Sequence, residues 1–188
     1  MSTSYVRALT VALAVCPASA IAQQPMPPTE PMTMSAQFIK GFQRIQENLA
    51  ESAAKMPEEH YNFKPTPEIK PFGQLVAHTA LSQFQACAIL KGEPSPKKDE
   101  KEETPRSKAD TLALFKASTD YCTPLVNALT ESSITEMAKI EKMQVAKGLI
   151  PTELLVHGME MYGTMAVYLR LKGLVPPATE RMQKMKKS

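Results

Sequence analysis

PTELLVHGMEMYGTMAVYLRLKG, residues 151–173, places apolar side chains on almost every side of a helix, through Leu154, Leu155, Val156, Met159, Met161, Tyr162, Met165, Val167, Tyr168 and Leu169. Pro151 suits a first turn, where its missing N–H costs nothing, and Gly173 is a natural residue to follow the last turn. The stretch therefore predicts a helix over 151–172. A helix that is apolar all round belongs in the interior, so this one is expected to be the most buried element.

Three more helices are predicted upstream of it. Over 35–54, Phe38, Phe42, Ile45 and Leu49 recur at i, i+4, i+7 and i+11 on one face, with Ser35 as the expected cap. Pro57, Pro65, Pro67 and Pro71 keep 56–70 irregular, and a second helix is expected over 71–90 with Leu75, His78/Thr79, Ser82, Ala86 and Ile89 inward. Ser107 with Asp110 makes a capping-box-like start for a third helix carrying Leu112, Phe115, Thr119, Cys122, Val126 and Leu129, with Pro124 expected to kink it. Gly92 to Arg106 reads as a solvated loop, with six basic and five acidic residues and three prolines between Lys91 and Lys108. Residues 131–148 are amphipathic with an ambiguous period. Four helices and no clear strand predict an all-α four-helix bundle.

The ends carry different signals. Arg7 precedes the apolar run Ala8 to Val15, and Ala20-Ile21-Ala22 offers an A-x-A cleavage site, so 1–22 reads as a signal peptide. Val15 before Cys16 is a poor fit to a lipobox, which argues against a lipoprotein. Residues 23–34, QQPMPPTEPMTM, hold four prolines and read as a Pro/Met-rich linker. The bundle is expected over 35–177, and 178–188 as a basic C-terminal tail. The eight-residue run Ala8 to Val15 is too short to span a bilayer, and no later apolar run reaches about 18 residues. The expected location is outside the cytoplasm, periplasmic or extracellular.

Composition narrows the classes further. A chain of 188 residues with 43% hydrophobic content can form a core unaided. A formal net charge of +3 is too balanced for nucleic-acid binding over the whole surface. Three cysteines are too few for a disulfide scaffold, yet Cys87 and Cys122 would remain after export in a compartment where a disulfide persists. A bridge between the second and third helices is one reading, and two buried thiols is the other.

Chemistry-bearing residues are sparse. The chain has three histidines: His60 in the Pro-rich connector, His78 on the second helix and His157 on the fourth. Glu153, His157 and Met161 follow at i, i+4 and i+8, each about 40° further round, so they share one face. Imidazoles from two helices plus a third group is one way to build a metal site in a bundle, although a helical histidine is more often simply hydrogen-bonded. Tyr162, Tyr168 and Arg170 read as structural. No G-x-S-x-G, H-E-x-x-H, P-loop or dinucleotide pattern is present.

Three segments together give the chain a resemblance: MPEEHYNFKPTP at 56–67, FGQLVAH at 72–78 and HGMEMYGTMAVYLRLKGLVPP at 157–177. The chain resembles the DinB-like superfamily, in its exported or uncharacterised branch. That resemblance implies a four-helix bundle, often a homodimer, with three histidines around a divalent metal such as Zn²⁺ or Ni²⁺. Carried over, it assigns His78 and His157 as ligands and puts Met161 at the third position. A thioether is a poor ligand for those ions and acceptable to Cu(I). The expected function is therefore a binding or structural module with a degenerate metal site and no cofactor. The alternatives are a divalent-metal hydrolase or thiol transferase using His78 and His157, with Glu153 or water as the further ligand, and a copper protein with two histidines and Met161.

Overall fold

The computed structural model describes residues 32–140 and 142–187. The signal peptide, Cys16 and the linker up to residue 31 lie outside the described residues. Five α-helices and one hairpin make up the described chain: α1 (Met34–Lys55), α2 (Phe72–Lys91), α3 (Lys108–Asn127), β1 (Met137–Ile140), β2 (Met143–Ala146), α4 (Leu149–Leu171) and α5 (Pro177–Met185). α2 packs chiefly on α3, and α1 on α4. Further contacts of α2 with α4 and of α1 with α3 close the ring, so α1 and α2 sit diagonally.

Each helix starts and stops for a local reason. Thr33, rather than Ser35, caps α1 by accepting from the N–H of Ala36, and the N–H of Ser35 instead donates to Glu131 at 2.7 Å. Ser107 caps α3 through the N–H of Asp110, as its sequence predicts. α2 and α4 end at Gly92 and Gly173, whose φ values of 81° and 72° other residues rarely adopt. Gly73, in the first turn of α2, admits Tyr61: a Cβ there would stand 2.9 Å from the Tyr61 ring.

The core forms where apolar faces meet at the centre of the ring. Phe72, Val76, Leu49, Met165 and Leu169 are fully buried in one cluster. A smaller cluster gathers Phe42, Val126, Leu129 and Leu154 around Cys87 and Cys122. Those two cysteines form a disulfide, with Cα atoms 5.5 Å apart, that ties α2 to α3. Between the clusters runs a buried polar network. Gln83 donates to Gln46 at 3.0 Å and accepts from Ser118 at 2.9 Å, joining α1, α2 and α3.

Four expectations are corrected. Met137–Ile140 and Met143–Ala146 pair as antiparallel strands, with Ile140 opposite Met143, so the chain is not purely α. α4 is not the most buried helix: nine of its 23 residues are buried against ten of 20 in α2, because no described element covers its outer face. The buried face of α2 runs through Phe72, Val76, Ala80, Gln83 and Cys87, and the expected stripe at Ser82, Ala86 and Ile89 is only half-buried. α2 is apolar on several sides, and periodicity could not decide which side met its neighbours. The basic stretch after Glu180 continues α5, which is tied to α1 by Arg181 to Glu51 at 2.6 Å and by Lys55 to Glu180. No helix among the described residues is long and apolar enough to cross a membrane.

Candidate functional site

α2 and α4 diverge along one side and leave a cleft of about 270 Å³. His78, Ser82 and Ala86 line it from α2, and Glu153, Leu154 and His157 from α4. The two imidazoles meet edge to face, with ring centroids 5.2 Å apart and planes at 76°. The i, i+4 spacings His78–Ser82 and Glu153–His157 put each pair on one helix face, which is why two short sequence segments suffice to furnish both walls.

A third segment supplies a group that sequence reasoning missed. The loop between α2 and α3 folds back so that the carboxylate of Glu102 takes the Nδ1–H of His78 on one oxygen and the ammonium of Lys70 on the other. Burial works to raise the pKa of Glu102, but the hydrogen bonds from Lys70 and His78 outweigh it and hold the carboxyl below its ordinary value. A carboxylate only accepts, so Nδ1 of His78 carries a proton, and in the neutral imidazole Nε2 is then the acceptor. Nothing in the sequence distinguishes Glu102 from the four other acids of that loop.

His157 is held differently. Its Nδ1 stands 3.5 Å from a carboxylate oxygen of Glu160 one turn on. Its Nε2 is buried and has no hydrogen-bond partner among the described residues. Burying an imidazole nitrogen without a partner costs free energy, on the order of 1–3 kcal/mol.

Met161 lies one turn beyond His157, 7% exposed, in the core cluster with Met165 and Leu169 and outside the cleft lining. Glu153 lines the cleft and is exposed. Among the described residues no three His, Cys, Asp or Glu side chains come together as a metal site. The donors at hand are two imidazoles and a thioether packed into the core, a set that does not fit a three-histidine ion. His60 is half-buried in a 3₁₀ turn (Glu58–His60) and takes no part in the cleft. Tyr162 and Tyr168 are structural as expected: the Tyr162 hydroxyl accepts from the N–H of Ala178 at 3.0 Å, and that of Tyr168 donates to the Lys70 carbonyl at 2.6 Å.

The DinB superfamily pattern matches residues 42–157, from α1 through the cleft histidine of α4. The chain belongs to the DinB superfamily. Solved DinB-like proteins share its fold. One from Bacillus cereus has a TM-score of 0.63 at 15% identity, covering 74% of this chain and 93% of its own. Another from Bacillus subtilis has a TM-score of 0.60 at 25% identity, covering 73% and 92%. A conserved protein from Enterococcus faecalis is similar at a TM-score of 0.59 and 15% identity, covering 75% and 98%. No curated protein matches the sequence. The DinB superfamily pattern ends at His157, so Met161 lies beyond the matched span while Glu102 lies within it.

Proposed function

We propose that this DinB superfamily member is a binding module that takes a small polar molecule into the α2–α4 cleft, with the metal site degenerate. The observation that carries the reading is the buried, unpartnered Nε2 of His157. A group left unsatisfied at that cost is accounted for if a ligand completes it. His78, whose ring centroid stands 5.2 Å from that of His157, holds its Nδ1–H on Glu102, and as the neutral imidazole it offers Nε2 as an acceptor. The ligand therefore has a hydrogen-bond donor for His78 and a polar group for His157, with an apolar part against Leu154 and Ala86.

Two measurements test it together. Elemental analysis of protein purified without chelator should find no stoichiometric transition metal, and calorimetric titration with ZnCl₂ should find only weak binding. Zinc or nickel near unit occupancy on His78 and His157 would overturn the reading in favour of a metal enzyme, and Cu(I) there would favour the copper alternative. His157→Leu should raise the stability of the ligand-free protein, because it removes an unsatisfied polar atom kept for binding. A clear loss of stability in that variant would make His157 a structural residue and sink the proposal.

Export is part of the same reading. The Cys87–Cys122 bridge suits an oxidising compartment, and the A-x-A site predicts a mature N-terminus at Gln23. N-terminal sequencing of the protein recovered from the periplasm or medium tests this directly.

A further inference from the structure

His78, Ser82, Ala86 and Ile89 follow one another along α2 at spacings of four, four and three, so they lie on one side of that helix. All four are only half-buried, because this side floors an open trough. The α2–α4 cleft shares Ser82 and Ala86 with an adjoining groove of about 530 Å³, which runs on past Leu81 and Ile89 and is bordered by Glu102 and Glu103 of the loop. From His78 to Ile89 the helix advances 11 residues, about 16 Å. The imidazole end is rich in acceptors and lacks a cation. No lysine or arginine lines the cleft. Glu153 lines it with a carboxylate that makes no hydrogen bond or ion pair among the described residues. Nδ1 of His78 donates to Glu102, and the Glu160 carboxylate 3.5 Å from Nδ1 of His157 favours a proton there too. In the neutral rings each Nε2 is then an acceptor.

Resting on the binding reading above, we propose that the ligand is a protonated primary amine on an unbranched apolar chain. Its ammonium sits at the end formed by Glu153, His78 and His157, and its chain lies along Ala86 towards Ile89. An ammonium brings three N–H donors and no acceptor, which matches an end that offers two imidazole nitrogens and one unpaired carboxylate. A neutral alcohol brings a single donor. A carboxylate or phosphate would face Glu153 with no cation in the cleft to offset it. The half-buried apolar side chains beyond Ser82 then shed water onto the alkyl chain.

Titration calorimetry of the purified protein with hexylammonium, hexanol and hexanoate, each in the presence of EDTA, tests the proposal. Hexylammonium should bind at least about tenfold tighter than either of the others. Lengthening the chain from butyl to hexyl should tighten binding roughly tenfold, as two more CH₂ groups leave water. Glu153 is exposed, so Glu153→Gln should fold as the wild type does, lose about tenfold in hexylammonium affinity and leave hexanol unaffected. Hexylammonium that fails to bind, that binds no tighter than hexanol, or that is indifferent to Glu153→Gln would overturn the amine assignment. Saturable binding of hexanol or hexanoate in its place would overturn that assignment alone and leave the binding module standing. Zinc near unit occupancy on His78 and His157 would overturn both.

Discussion

Glu102 reaches His78 from a loop 24 residues away in sequence and closes its carboxylate on the imidazole Nδ1, with Lys70 on its other oxygen. The loop is thereby fastened to α2 beside the cleft. Its density of charge marks it as solvated, yet one of its acids braces a cleft residue.

This brace should show in acid. The folded pKa of Glu102 lies below its unfolded value, so its ionisation stabilises the fold above the ordinary glutamate range, and that contribution is lost as pH falls through the folded value. Glu102→Gln should cost up to about 1 kcal/mol near neutrality. The gap from the wild type should close as the pH is lowered below about 4. Denaturant melts of both proteins across that range check the sign, and a gap that widens in acid would contradict it.

Met161→His places an imidazole at i+4 from His157, one turn on. If the natural site is degenerate, the change creates a third strong ligand and should tighten Zn²⁺ binding by about a hundredfold or more. A site that already held zinc would gain far less. Titration calorimetry on both proteins separates the outcomes, with circular dichroism checking that the core around Met161 survives.

The disulfide closes a loop across 35 positions. In the chain-entropy account this stabilises by about 3–4 kcal/mol. Reduction, or the Cys87→Ala/Cys122→Ala pair, should lower the urea midpoint accordingly. The replacement also leaves small voids, so a loss much below 2 kcal/mol would show that the reduced chain is already compact there.

Two glycines should respond oppositely to alanine. Gly73→Ala drives a methyl to 2.9 Å from the ring of Tyr61, whose hydroxyl is tied to the Ala53 carbonyl and whose own carbonyl takes the Gly73 N–H. The ring has little room to yield, and the change should cost roughly 1–3 kcal/mol. Gly163→Ala meets nothing and should add up to about 1 kcal/mol of stability through helix propensity. Thermal melts of the two variants side by side decide it.

Much of this fold was legible in the sequence because its signals are local. The cap at Ser107, the stop at Gly173 and the stripe Phe42, Ile45, Leu49 depend only on neighbours within a few turns. The pairing of His78 with His157 followed from family resemblance and helix spacing together. The hairpin was hidden because MAKI and MQVA are rich in helix formers, and no Asn-Gly or Asp-Gly sits between them at 141–142. The exposed side of α4 was equally hidden, since composition cannot say which apolar face a neighbour will cover. Glu102 was beyond reach for a third reason: its role comes from where a loop lands, and loops of that composition carry no periodicity.

Cys87 follows His78 by nine residues, which on a helix is half a turn round the axis after two full turns. The bridge to Cys122 therefore grips α2 on the flank away from the cleft and fixes the angle at which that helix sits about its own axis. His78 inherits that setting. When the bridge is reduced α2 loses that covalent hold and keeps its setting by core packing alone, so the aim of the cleft is set in part by a bond that never touches it.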